Sequence, residues 1–157
     1  NNTSYSPRFL KAALRHNTIK KFIPIKKEEI LEKHQTLINN YPRIAVCSKV
    51  IMKDYSIQHI PMIDFHLPIS NKNLLIIKDY CRILGLKHGF ILNSGESFHF
   101  IGNELMSWNN LYRLLTQSLL LSPIVDKSWI SHQLIEKSCS LRISKKHNIY
   151  PQVIAQI

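Results

Sequence analysis

Gly89-Phe90-Ile91-Leu92-Asn93-Ser94-Gly95-Glu96-Ser97-Phe98-His99-Phe100-Ile101 is the stretch that decides the fold class. Two apolar runs, Gly89 to Leu92 and Ser97 to Ile101, flank the polar turn Asn93-Ser94-Gly95-Glu96 and predict a pair of strands. Side chains alternate across a strand, so His99 faces away from Phe98 and Phe100. One face of that strand is apolar and the other can form the floor of a site. The turn joins a glycine to flanking hydroxyls, and backbone N–H groups exposed at such a turn suit phosphate.

Working toward the N-terminus, Ser70 predicts the cap of a helix running to about Leu84, because Leu74, Ile77, Cys81 and Leu84 recur at three- and four-residue steps and Gly85 can end it. Ile57 to Phe65 predicts a strand, with Pro61 making it an edge or locally irregular. Arg43 to Ile51, rich in branched residues, predicts another. Lys26 to Leu37 reads as an amphipathic helix through Ile30, Leu31, Leu37 and Ile38, and Pro7 to Arg15 as a short helix with Leu10 and Leu14 on one face.

Toward the C-terminus, Ser107 caps a leucine-rich helix to Leu121, a short helix runs from Lys127 to Glu136, and Cys139 to Ile143 is a last strand before an irregular tail after Lys145. Trp108 and Trp129 stand at helix starts and read as packing residues. Strands with helices between them predict a layered α/β or α+β domain. The expected organisation is an N-terminal helical element over 1–42 and one compact domain over 43–157.

Composition narrows the partners. The 157 residues and 45% hydrophobic content suit one globular core. Lys and Arg number 21 against 10 Asp and Glu, a net charge of +11 that favours nucleic acid, nucleotides or another polyanion. Cys47, Cys81 and Cys139 are odd in number and far apart, which argues against a disulfide framework or a thiolate zinc site and for a reduced, cytoplasmic protein. No apolar run approaches the roughly 18 residues of a membrane helix. The polar start lacks an initiating Met, which fits a piece of a larger protein.

Three places carry candidate chemistry. In Met62-Ile63-Asp64-Phe65-His66 an apolar strand ends in a carboxylate and an imidazole on one face, a pair able to bind a divalent cation. The bland reading is a turn-capping Asp64 and a surface His66. The second place is the Ser94–His99 turn and strand, where a lone strand histidine is more often structural. The third is Asp126 followed by Leu141-Arg142-Ile143-Ser144, where Arg142 faces away from its apolar neighbours and offers a fork for phosphate, or else an ordinary salt bridge. A Ser/His hydrolase is excluded: there is no GxSxG elbow, and Ser97 and His99 are too close on one strand to act as nucleophile and base.

Taken in order, IDFH, SGESFH, IVD and LRIS resemble the catalytic core of archaeo-eukaryotic primases and primase-polymerases, over about Ile44 to Ser144. The chain is most similar to a divergent branch with one aspartate in the first motif. The resemblance implies an α+β fold with an RRM-like palm, a mixed sheet and packed helices. It implies a nucleotidyltransferase acting on nucleic acid with nucleoside triphosphates and a divalent metal, Mg or Mn. Asp64, His66 and Asp126 would be the metal ligands and catalytic residues. Ser94, Gly95, Ser97, His99 and Arg142 would bind the nucleotide.

His66 departs from the family pattern, since an imidazole replaces a hard anionic ligand and favours Mn over Mg. That substitution keeps open a degenerate nucleotide or nucleic-acid binding module on the same fold. A metal-dependent phosphodiesterase or nuclease is a further alternative.

Overall fold

The computed structural model describes residue 14, residues 21–146 and residues 149–157. The short helix expected over Pro7 to Arg15 lies outside the described residues apart from Leu14, which is helical. Contacts divide the chain into units 1–35 and 36–157. A single 3-10 turn, Lys27–Glu29, leads into helix α1, Ile30–Asn40, which contains the division between the units.

Among its described residues the second unit holds eight strands and three further helices. Its largest sheet is built from β4 (Met62–Asp64), β5 (Gly89–Asn93), β6 (Phe98–Gly102) and β8 (Gln152–Gln156), in the order β4-β6-β5-β8. Two ribbons accompany it: β1 (Ala45–Cys47) with β7 (Ser140–Arg142), and β2 (Lys49–Ile51) with β3 (Ile57–His59). Helix α2 (Asn71–Ile83) joins β4 to β5, while α3 (Trp108–Leu119) and α4 (Lys127–Glu136) lie between β6 and β7. Every strand pair among the described residues is antiparallel, so the layered expectation takes its α+β form.

The β5–β6 hairpin places Ile91 opposite Phe100 and Leu92 opposite His99. Ile63, Ile91 and Phe100 are in register across β4, β5 and β6 and are wholly buried. They join one core with Phe98, with Ile77, Tyr80 and Cys81 of α2, Leu111 and Leu115 of α3, and Ile130 of α4. Burying side chains of this size contributes about 1.5–3 kcal/mol each. The chain is tight at Gly89, where a Cβ would sit 2.6 Å from the Phe100 ring and 2.7 Å from the Ile101 carbonyl oxygen.

The helix signals are local and hold. Ser70 Oγ accepts from the Asn73 N–H at 3.1 Å, Ser107 Oγ accepts from the Asn110 N–H at 3.3 Å, and Gly85 takes φ +70° after α2. Trp108 packs against His59 with ring centroids 5.5 Å apart, and the Trp129 indole donates to the Ser140 carbonyl at 3.0 Å. The three cysteines are free, with Cys81 and Cys139 buried.

Three strand expectations need correction. Arg43 to Ile51 is not one strand: Ser48 separates β1 from β2, and each pairs in its own ribbon. The wholly buried Ser48 is bound on all sides. Its N–H donates to Cys139 O, its carbonyl accepts from Ile60 N–H, and its Oγ accepts from Cys139 N–H at 2.8 Å and lies 3.2 Å from His59 Nδ1. Ile57 to Phe65 is likewise split into β3 and β4 at Ile60-Pro61, where the Pro61 carbonyl accepts from Gly102 N–H. The tail after Lys145 is not wholly irregular. It contains β8, whose apolar residues Val153 and Ile154 are largely exposed, so the segment carries little burial signal in sequence.

Candidate functional site

Asp64 closes β4, and beyond it the main chain keeps pairing. Phe65 bridges Val125, His66 N–H donates to Ile124 O at 2.8 Å, and Asp126 N–H donates to Asp64 O at 3.0 Å. Phe65 and Val125 are buried, so alternation sends Asp64 and Asp126, opposite one another, to the other face. Across β6, His99 stands opposite Asp64 in register, with Nε2 3.5 Å from Oδ1. Asp64 is therefore flanked by a carboxylate on one side and an imidazole on the other.

This neighbourhood makes ionisation of Asp64 costly. Burial first, and then repulsion from Asp126, push its carboxyl from 3.8 up to about 7, while Lys146 and Arg142 pull it back. His99 moves the other way: burial, then Arg142 and Lys146, push its imidazole down to about 4, so it is neutral near pH 7. His99 Nδ1 is buried with no hydrogen-bond partner among the described residues. A half-ionised aspartate beside a second one suits a hard cation, which would relieve their repulsion.

Asp126 has a second duty. Its Oδ1 accepts from Trp129 N–H at 2.9 Å, which makes it the N-cap of α4, a role the sequence reading did not assign it. His66 is exposed and its backbone continues the pairing described above. Among the described residues no three His, Cys, Asp or Glu side chains come close enough to hold a metal ion between them. The expected trio of Asp64, His66 and Asp126 is thus not assembled, and Asp64 with Asp126 is the pair able to serve such an ion.

The Ser-Gly turn also differs from expectation. Ser94 N–H donates to Ser97 O at 2.9 Å, Ser94 Oγ donates to the same oxygen at 3.0 Å, and Gly95 N–H donates to Asn93 Oδ1 at 2.8 Å. Gly95 needs its φ of +105° for this geometry. The Ser94 and Gly95 amides, which the turn was expected to expose, are consumed inside it. Ser97 Oγ lies 3.4 Å from Ser94 Oγ. Arg142 reaches this turn from β7: Nη2 donates to Ser94 O at 2.8 Å and Nη1 donates to Ser144 O. Its fork joins the end of β7 to the turn beside Asp64 and His99.

With this geometry established, comparison with known proteins is informative. A family model described as archaeo-eukaryotic primase 1D-like matches residues 25–155. The chain belongs to that family. No curated protein and no solved structure matches the chain. The match runs from before the 3-10 turn to within β8 and includes all eight candidate residues. No helix among the described residues is long and apolar enough to cross a membrane.

One residue of the primase-like site was missed as such. Lys146 looks in sequence like general basic surface beside Lys145, yet it donates to Glu96 at the Ser-Gly turn and acts electrostatically on Asp64 and His99. Only its position directly after LRIS could have singled it out.

Proposed function

We propose that this domain is a primase- or polymerase-like nucleotidyltransferase that uses nucleoside triphosphates and a divalent cation, Mg or Mn, on a nucleic-acid template. In this reading the catalytic-type domain is 43–157 and the element over 1–42 is an appendage. The observation that carries it is Asp64, raised to about 7 and set between Asp126 and His99.

Asp64 and Asp126 would hold the cation, which when bound supplies charge neutralisation and a more acidic hydroxyl nucleophile. A primer 3′-hydroxyl, or an initiating nucleotide, attacks the α-phosphate and pyrophosphate leaves. His99, neutral beside Asp64, takes no positive charge into the cation's place. Arg142 fixes the Ser94–Ser97 turn against the end of β7 and adds positive potential where the triphosphate carries its charge. The surplus of basic residues, +11 overall, would hold template backbone without reading its sequence.

A degenerate binding module on the same fold is the second reading, and the exposed His66, outside any three-ligand group among the described residues, favours it. A gel assay decides between them. Labelled nucleotides, primed and unprimed templates, and Mg²⁺ or Mn²⁺ separately are incubated with the protein and with Asp64→Ala. Products that vanish in the variant are expected. No product, with nucleotide still bound, would replace the catalytic reading by the binding module. Mononucleotides released from a labelled strand without added nucleotide would replace it by a nuclease.

A further inference from the structure

We propose that Glu96 is a resident anion that holds Lys146 until a polyphosphate displaces it, so that Lys146 binds phosphate and Glu96 sets the affinity. This rests on the nucleotide-binding reading above. The amides of Ser94 and Gly95 are spent within the turn, which turns attention to the side chains at this end of the site. Arg142 is committed to two carbonyl oxygens, Ser94 O and Ser144 O. The partner of Lys146 is different in kind: it is a carboxylate, which a phosphate can replace like for like.

The placement supports such an exchange. Lys146 and Ile149 exchange backbone hydrogen bonds at 2.9 Å in both directions, which fixes the Lys146 backbone. Ile149 lies over Gly95, 3.7 Å from where a Cβ would stand. Ser94, Gly95, Glu96, Lys146 and Ile149 together line a small depression beside the Ser-Gly turn. The side chains of Lys146 and Glu96 are 45% and 57% exposed, and ion pairs as open as this are weak and exchange readily. A triphosphate brings several negative charges to a lysine now held by one. Glu96 competes with that ligand for the lysine, so removing it should tighten binding.

The test is calorimetric titration of ATP, and separately of inorganic tripolyphosphate, into wild type, Glu96→Gln, Lys146→Ala and the double variant. Glu96→Gln should bind about fivefold more tightly, the size of one unit charge at about 4 Å in water. Lys146→Ala should bind at least about fivefold more weakly on the same basis. In the Lys146→Ala background Glu96→Gln should add nothing, because the glutamate acts through the lysine. Unliganded melting temperatures should be alike for all four, since the pair is exposed. An unchanged or weaker Glu96→Gln, or an equal gain without Lys146, overturns the latch while leaving nucleotide binding in place. If neither wild type nor Glu96→Gln binds either probe, the nucleotide reading falls and the latch with it.

Discussion

Asp64→Asn should stabilise the protein, and by an amount that depends on pH. The Asp64 carboxyl is raised from 3.8 to about 7, so the folded state holds this proton more tightly than the unfolded chain. Between those values the folded state carries more protons, and wild-type stability falls as pH rises. Below about pH 4 both states are protonated and the loss is absent; above about pH 7 it is complete. Three units at about 1.36 kcal/mol each set a ceiling of about 4 kcal/mol. Water reaching a side chain that is 23% exposed reduces this, and about 3 kcal/mol is expected. His99 contributes the opposite slope, gaining stability as pH rises from about 4 toward 6.5, but that contribution is common to both proteins. The assay is urea unfolding of wild type and variant across this range, followed by tryptophan fluorescence. The difference should be small in acid and reach its plateau above neutrality. A difference that does not vary with pH would refute the account of Asp64 as a buried, repelled carboxyl.

Adding Mg²⁺ or Mn²⁺ above neutral pH should raise the melting temperature of wild type and not of Asp64→Asn, since a cation relieves the repulsion only where both carboxylates are present; equal shifts would place the ion elsewhere. Gly89→Ala should cost about 1–3 kcal/mol in urea unfolding, because its Cβ meets the Phe100 ring and the Ile101 carbonyl. Ser48→Ala should cost about 1–3 kcal/mol by the same measurement, as it leaves the buried Cys139 amide without its acceptor. Arg142→Ala should weaken ATP binding by about 1 kcal/mol in calorimetry, the size of one unit charge at about 4 Å in water, since its donors are held by the Ser94 and Ser144 carbonyls and it acts on the ligand through its charge; unchanged affinity would confine Arg142 to bracing the turn.

What was legible in sequence was what is decided locally. Ser70, Ser107 and Gly85 act within one helical turn of themselves, and the β5–β6 hairpin is written in one continuous stretch. That His99 turns away from Phe98 and Phe100 followed from alternation alone, whereas its place opposite Asp64 needed the register of β4 on β6. Splits and caps depend on distant partners. Ser48 divides two strands because Cys139, Ile60 and His59 reach it, and nothing in RIAVCSKVI announces them. The turn amides looked available because their acceptors, Ser97 O and Asn93 Oδ1, become partners only in the folded turn. Lys146 reaches Glu96 across 50 positions of sequence, beyond any periodicity. His66 alternates as expected, yet same-face geometry does not bring it to the aspartates once β4 has ended at Asp64.

The cap that Asp126 places on α4 separates two kinds of selective pressure. An aspartate that starts a helix is retained for architecture whether or not the domain is catalytic. Asp64 caps no helix, and its ionised form costs the fold stability, so only chemistry or a bound ion rewards keeping it. In a branch that has given up catalysis, position 126 should stay acidic while position 64 drifts to amide or apolar residues. A survey of relatives at these two positions would tell working members from retired ones before any is purified.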